Sequence, residues 1–139
     1  METMEARMVK LYARNNNHVA LHAIPGHFAT SHSHINFYID MTSLKTRANE
    51  AQEVAKSLAG DYVNSTVVDT IVCMDGTEVV GAYLAQEFEK RGFRNTNLHD
   101  TIYVVTPEYN ANNQLIFRDN TIPAIKGKNV ILLLATTTT

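Results

Sequence analysis

The sequence predicts an α/β domain: a parallel sheet with flanking helices and a small N-terminal hood. Three observations carry that reading. The runs TVVDTIVCM (66–74), TIYVVT (101–106) and NVILLLA (129–135) are continuously β-rich, as strands buried on both faces should be. Between the first two lies GTEVVGAYLAQEFEKRG, apolar over most of its surface at helical spacing, with Lys90 and Arg91 in its last turn and Gly92 behind. The order strand, helix, strand, excursion, strand is that of a parallel sheet with right-handed crossovers.

The remaining elements follow along the chain. Met1, Met4 and Met8 recur at helical spacing and read as packing residues. Asn15 to Asn17 read as a turn. His18 and His22 fall on one face if that stretch is helical. INFYID (35–40) is aromatic and β-branched enough for a short strand. In the next stretch Leu44, Ala48, Ala51, Ala55 and Leu58 define one amphipathic helix, with Thr42 or Ser43 able to cap it and Gly60 able to close it. The polar stretch PEYNANNQ leads to LIFRD, one arm of a small hairpin. Tyr103 and Phe117 read as sheet-face packing.

Composition narrows the function classes. The 139 residues suit one domain spanning 1–139, with residues 1–42 as hood segment and 43–139 as core. Apolar residues at 45% and charged residues at 19% argue against disorder. A formal charge of −2 leaves no basic field for nucleic acid and no polybasic run for a membrane surface. The apolar run 130–135 is too short to span a bilayer, and the N-terminus lacks a signal-peptide core. A single cysteine, Cys73, excludes an internal disulfide, fits a reducing cytoplasm and reads as a small core residue.

Ligands of parallel α/β sheets sit at the carboxyl ends of strands, where helix N-termini offer unpaired N–H groups. Two such ends stand out. In CMDGTEVVG, Gly76 permits a sharp turn, and the amides of Gly76, Thr77 and Glu78 can cradle a phosphate. The competing reading is a plain strand-to-helix turn capped by Asp75, and Asp75 and Glu78 repel an anion unless a metal intervenes. In ATTTT, hydroxyls and successive amides of Thr136, Thr137, Thr138 and Thr139 can form a second cradle; taken alone, the tract reads first as a frayed tail.

Together the two ends suggest a ligand with two phosphate groups. The order VDTIVCMDGTEVVGAYLAQEF, TIYVVT, GKNVILLLATTTT resembles the core of type I phosphoribosyltransferases. The upstream FATSHSHINFYIDM is similar to the orotate phosphoribosyltransferase segment in which a Ser-containing stretch runs into an aromatic strand ending in Asp or Asn. The resemblance covers roughly residues 28 to 139.

It implies a phosphoribosyltransferase-like core in which Asp75, Gly76, Thr77 and Glu78 hold pyrophosphate and residues Ala135 to Thr139 hold a ribose 5-phosphate. Ser31, His34, Tyr38 and Asp40 would border a nucleobase. It further implies transfer of a phosphoribosyl group from phosphoribosyl diphosphate to an orotate-like base with release of pyrophosphate, Mg²⁺ as cofactor, and a cytoplasmic homodimer. The departures are equally specific. Leu134 and Ala135 stand where the family carries an acidic pair, and Arg118 is the only cation in the stretch matching the basic mobile loop. The family pattern also continues past its threonines into a Gly, a helix and a further strand, which implies a longer natural chain. These departures leave open a binding protein on the same fold that senses a nucleotide or phosphoribosyl compound without turnover.

Five of six histidines fall between His18 and His34. The spacings His18/His22 and His32/His34 can each bind Zn²⁺, but no Cys or carboxylate sits among them and Pro25-Gly26 interrupts any common element. Surface and turn histidines are the alternative. No metal ligand and no catalytic acid or base is assigned from the sequence.

Overall fold

The structure, a computed structural model, describes residues 3–30 and 32–136, with residues 4 and 5 as backbone alone. Ser31 and Thr137, Thr138 and Thr139 lie outside the described residues. The elements run α1 (Met4–Arg7), β1 (Val9–Tyr12), β2 (Ala20–Ala29), β3 (His34–Asp40), α2 (Thr42–Thr46), α3 (Ala48–Tyr62), β4 (Thr70–Cys73), α4 (Glu78–Lys90), β5 (Tyr103–Val105), β6 (Glu108–Tyr109), β7 (Leu115–Ile116) and β8 (Val130–Leu133), with a 3-10 turn at Ile122–Ala124. The fold is mixed α/β around a small parallel sheet of order β5-β4-β8.

The hood is an antiparallel sheet of order β1-β2-β3. Paired residues share a face, so Val9 and Leu11 of β1 and Phe37 and Ile39 of β3 lie on one apolar face; all four are exposed, while Ala23 of β2, between Val9 and Ile39, is buried. Ala20 and Ile24 turn to the other side and are buried. The expected helix through His18 and His22 is therefore a turn followed by a strand. Alternation wins over the i, i+4 spacing because β2 is hydrogen-bonded on both sides, and Pro25-Gly26 is absorbed by a bulge between Pro25 and Phe28.

The single helix expected over 42–60 is two helices. Arg47 takes an extended conformation (φ −85°, ψ 119°) between α2 and α3. Neither Thr42 nor Ser43 caps a helix through its side chain; instead Asp40 Oδ1 accepts from the Thr42 amide at 3.0 Å. Gly60 lies inside α3, which runs on to Tyr62. Ala51, Ala55 and Ala59 recur every fourth residue and are fully buried, a stripe of small side chains that lets α3 lie close to α4.

β4 is the centre, buried along its whole length as expected. On one face Gly81 of α4 meets Cys73 so closely that an added Cβ would stand 2.2 Å from Sγ. Phe88, Leu84 and Ala85 complete that layer with Val68, Ile71 and Ile102. On the other face the Thr70 hydroxyl donates to the Ala124 carbonyl of the 3-10 turn. β5 and β8 are edges rather than fully buried strands. Tyr103 is exposed, and along β8 the exposed Val130 and Leu132 alternate with half-buried Ile131 and Leu133. Leu58, Tyr62, Leu84, Phe88 and Leu134 line an apolar groove of about 350 Å³ beside that edge. The expected hairpin is β6 with β7. No helix among the described residues is long and apolar enough to cross a membrane.

The sheet is aligned at its N-terminal end by one carboxylate. Asp69, fully buried, accepts from Asn129 N (2.8 Å), Asn129 Nδ2 (3.0 Å), Thr96 Oγ1 (2.7 Å) and the Thr96 amide. Burial alone would raise its pKa; these hydrogen bonds outweigh burial and hold the carboxyl well below the usual carboxylate range. A group with a depressed folded pKa contributes stability that is fully present above its unfolded value, about 3.9, and is lost as pH falls through the folded value. Urea unfolding is therefore expected to show stability falling below about pH 4, and Asp69→Asn is expected to flatten that acid slope while lowering stability at pH 7. Asp69→Ala, which orphans several buried donors, should cost about 3 kcal/mol or more. An unchanged acid slope in Asp69→Asn would contradict the assignment.

Candidate functional site

The carboxyl ends of the parallel strands form a rim stitched by two threonines. Thr77 is buried; its hydroxyl donates to Met74 O at 2.7 Å, with Leu133 O at 3.3 Å, and its amide donates to Met74 O at 3.2 Å. The Met74 amide donates to Leu133 O at 2.9 Å. The loop after β4 is thus bound to the end of β8. On the opposite side Thr106, just past β5, donates to Cys73 O at 2.8 Å, with Glu78 Oε1 at 3.3 Å. Cys73 itself sits in the core as expected, its thiol pushed up to about 11 by burial and then by Glu78.

Between these stitches the backbone makes a tight arc. Asp75 and Gly76 are both left-handed, with φ of 56° and 77°. Gly meets this geometry at no steric cost, and Asp is among the few other residues that tolerate it. The arc lets α4 start immediately, with Thr77 as its N-cap and no side-chain cap hydrogen bond; Asp75 does not serve as the cap. The first-turn amides from Glu78 onward have no intrahelical acceptor by construction, and they carry the positive end of a 13-residue helix. The Thr77 amide and hydroxyl are committed within the loop, so the amides left to meet an anion are those around it.

Sequence reasoning passed over Lys45. It reaches from α2 across the arc, Nζ donating to Asp75 O at 3.1 Å, and a methyl group at Gly76 would stand 3.7 Å from Nζ. Lys45 also lies near Asp40, whose pKa is lowered first by its hydrogen bonds from Thr42 and then by His22 and Lys45. His22 is the strand partner of Asp40. This cation supplies one positive charge against the two acids, Asp75 and Glu78, that the sequence places in the loop. Its signal was weak, because Lys45 stands 30 residues from Asp75 with no motif around it.

The remaining candidate residues divide. Asp40 ends β3, within electrostatic reach of Lys45. Tyr38 is exposed on the same β3 face, its ring 5.7 Å from that of Phe28. His34 shares that face but lies six residues away, roughly 20 Å along the strand. Its Nδ1 is instead 2.7 Å from His27 Nε2. Leu134, Ala135 and Thr136 continue from β8, whose Leu133 is in register with Cys73. The two strand ends expected to carry phosphate loops are therefore neighbours.

Such a rim can bind a compact anion through helix-terminal amides and one ammonium group. With inorganic pyrophosphate as probe, Lys45→Ala is expected to weaken calorimetric binding by about tenfold or more, the equivalent of one charge-assisted hydrogen bond. Its melting temperature should barely move, since the hydrogen bond lost is at the surface. Equal affinities for the two proteins would contradict the role given to Lys45.

Comparison of the chain with protein-family models, with curated proteins and with solved structures finds no match.

Proposed function

We propose that the rim binds the two phosphate groups of a phosphoribosyl compound, and that the chain is a phosphoribosyltransferase-like protein of the orotate type. The observation that carries this reading is the parallel pairing of β4 with β8, Cys73 opposite Leu133. It brings the 75–78 arc and the start of the threonine tract to the same edge of one sheet. In this reading the first-turn amides of α4 and Lys45 take the pyrophosphate, and Thr136 with the threonines beyond it takes the 5-phosphate.

The reaction is displacement at the anomeric carbon of ribose by a ring nitrogen of the base, with pyrophosphate leaving. Such a step depends on positioning and on stabilising the charge that develops on the leaving group. In this reading Lys45 and the amide dipoles of α4 supply the second, and Asp40, at the end of β3, borders the base as the resemblance implies. The Mg²⁺ that the resemblance implies finds no ready protein ligand set. Among the described residues no group of three or more His, Cys, Asp or Glu converges, and β8 runs into Leu134 and Ala135 where acids would be needed. No step is assigned to the metal.

Leu134 and Ala135 also favour a second reading, in which the same rim binds a nucleotide or phosphoribosyl compound without turnover. Neither side chain can accept a hydrogen bond from ribose hydroxyls. A homodimer belongs to both readings, supported by the exposed apolar face of Val9, Leu11, Phe37 and Ile39 and by the open β8 edge.

Incubation with phosphoribosyl diphosphate and a panel of nucleobases including orotate, followed by measurement of released pyrophosphate, tests the proposal. Base-dependent release is the expected result. Saturable binding without release would establish the second reading instead. Failure of the folded protein to bind phosphoribosyl diphosphate would overturn both.

A further inference from the structure

The histidine-rich stretch is not absorbed by the rim, and the structure pairs its members differently from either spacing the sequence offers. His27 lies in the bulge of β2, between the last regular pair Pro25↔Phe37 and the resumed pair Phe28↔Ile35. His34 opens β3 opposite Ala29. In a regular antiparallel ladder a one-residue displacement sends a side chain to the opposite face. The bulge removes that constraint, and bulges commonly serve to re-aim a side chain. Here it swings the His27 ring onto His34: the centroids are 4.9 Å apart, the rings are inclined at 54°, and Nε2 of His27 faces Nδ1 of His34 at 2.7 Å. Both residues are exposed.

We infer that His27 and His34 form a two-imidazole binding site for a late first-row divalent cation, Zn²⁺ foremost among those available in cells. The two nitrogens already face each other from two paired strands. Zinc–imidazole distances of about 2.0–2.1 Å at a tetrahedral angle require the nitrogens to stand about 3.3 Å apart. Opening the observed 2.7 Å contact to that spacing takes a small ring rotation, which two solvent-facing side chains can make. Metal coordination needs a lone pair on both facing nitrogens. In the metal-free pair one of them carries the proton that makes the hydrogen bond. Binding therefore moves that proton to the other nitrogen of the same ring through solvent, and a neutral pair binds the cation with no net proton release.

The donor type selects the metal. Two imidazoles suit Zn²⁺, Cu²⁺ and Ni²⁺ rather than Mg²⁺ or Ca²⁺, and the thiol of Cys73 is buried in the parallel-sheet core. No third His, Cys, Asp or Glu among the described residues joins the pair, so water fills the remaining positions. The site is independent of the sheet rim and stands or falls without the phosphoribosyl reading.

Calorimetric titration of the whole chain with Zn²⁺ alone tests it, alongside His27→Ala, His34→Ala and the controls His18→Ala and His99→Ala. The expected result is one saturable equivalent in the parent and in both controls. Affinity should fall by at least about tenfold in each of the first two variants, since losing only an outer-shell partner already costs a metal site that much. Retention of parent affinity in His27→Ala or His34→Ala would overturn the inference, as would equal loss in the controls. If a variant fails to fold, nitrogen NMR of imidazole-labelled parent protein decides instead. Zn²⁺ should shift His27 Nε2 and His34 Nδ1 together, and no shift at either would overturn the site.

Discussion

The parallel sheet depends on the Asp69 carboxylate. Three strands joined by long crossovers have no tight turns to set their register, so something must align them. Asp69 does so at the N-terminal end of β4. Its side chain accepts from Thr96, on the path to β5, and from Asn129, at the entry to β8. Its backbone carbonyl accepts from Tyr103 N and Asn97 Nδ2, and its amide donates to Asn129 O. A buried carboxylate is costly when unpaired and stabilising when its lone pairs are filled. Here several donors from two other segments converge on it, so the ordering of those segments and the charge of Asp69 are one event. With the N-terminal ends fixed, the carboxyl ends fall side by side, and Thr77 and Thr106 need only close the rim.

The candidate site is the far end of that alignment. Its loop carries acids in sequence, which by itself argues against an anion. Lys45 and the N-terminus of α4 counter that argument in part, one ammonium and the partial positive charge of the helix end standing against two carboxylates. Glu78 is drawn toward Thr106 and Asp75 bends into a left-handed turn, while the Lys45 ammonium lies over the arc. The rim thus combines a rigid backbone with one long flexible cation, an arrangement suited to a ligand whose charge is concentrated in phosphate groups. The hood carries Asp40, paired with His22 and within electrostatic reach of Lys45, on one face and the exposed Val9, Leu11, Phe37 and Ile39 on the other.

Much of the core was legible because its signals are local. The run 66–74, the helix ending in Lys90 and Gly92, and the hairpin before β8 each announce themselves within about ten residues. The misses share a different cause. β2 reads as a helix by its histidines and as an interrupted element by Pro25-Gly26, and only pairing with β1 and β3 makes it a strand. The break at Arg47 has no Gly or Pro to mark it. Full burial was expected of β5 and β8, but both are edge strands of the parallel sheet, and of its three strands β4 alone is flanked by a strand on each side and covered on both faces. Asp69 and Lys45, the residues that organise the two ends of the sheet, act on partners 27 to 60 residues away. Of the candidate site, the arc at Asp75 to Glu78 was legible from Gly76 and the helix behind it. Its cation was not.

The most direct test of this account is an amide NMR titration of ¹⁵N-labelled protein with phosphoribosyl diphosphate. The account predicts that the largest saturable shifts fall on residues 75–80 and on α2 around Lys45, with smaller ones beyond Leu133. Shifts absent from this rim, or confined to the apolar groove beside β8, would contradict it.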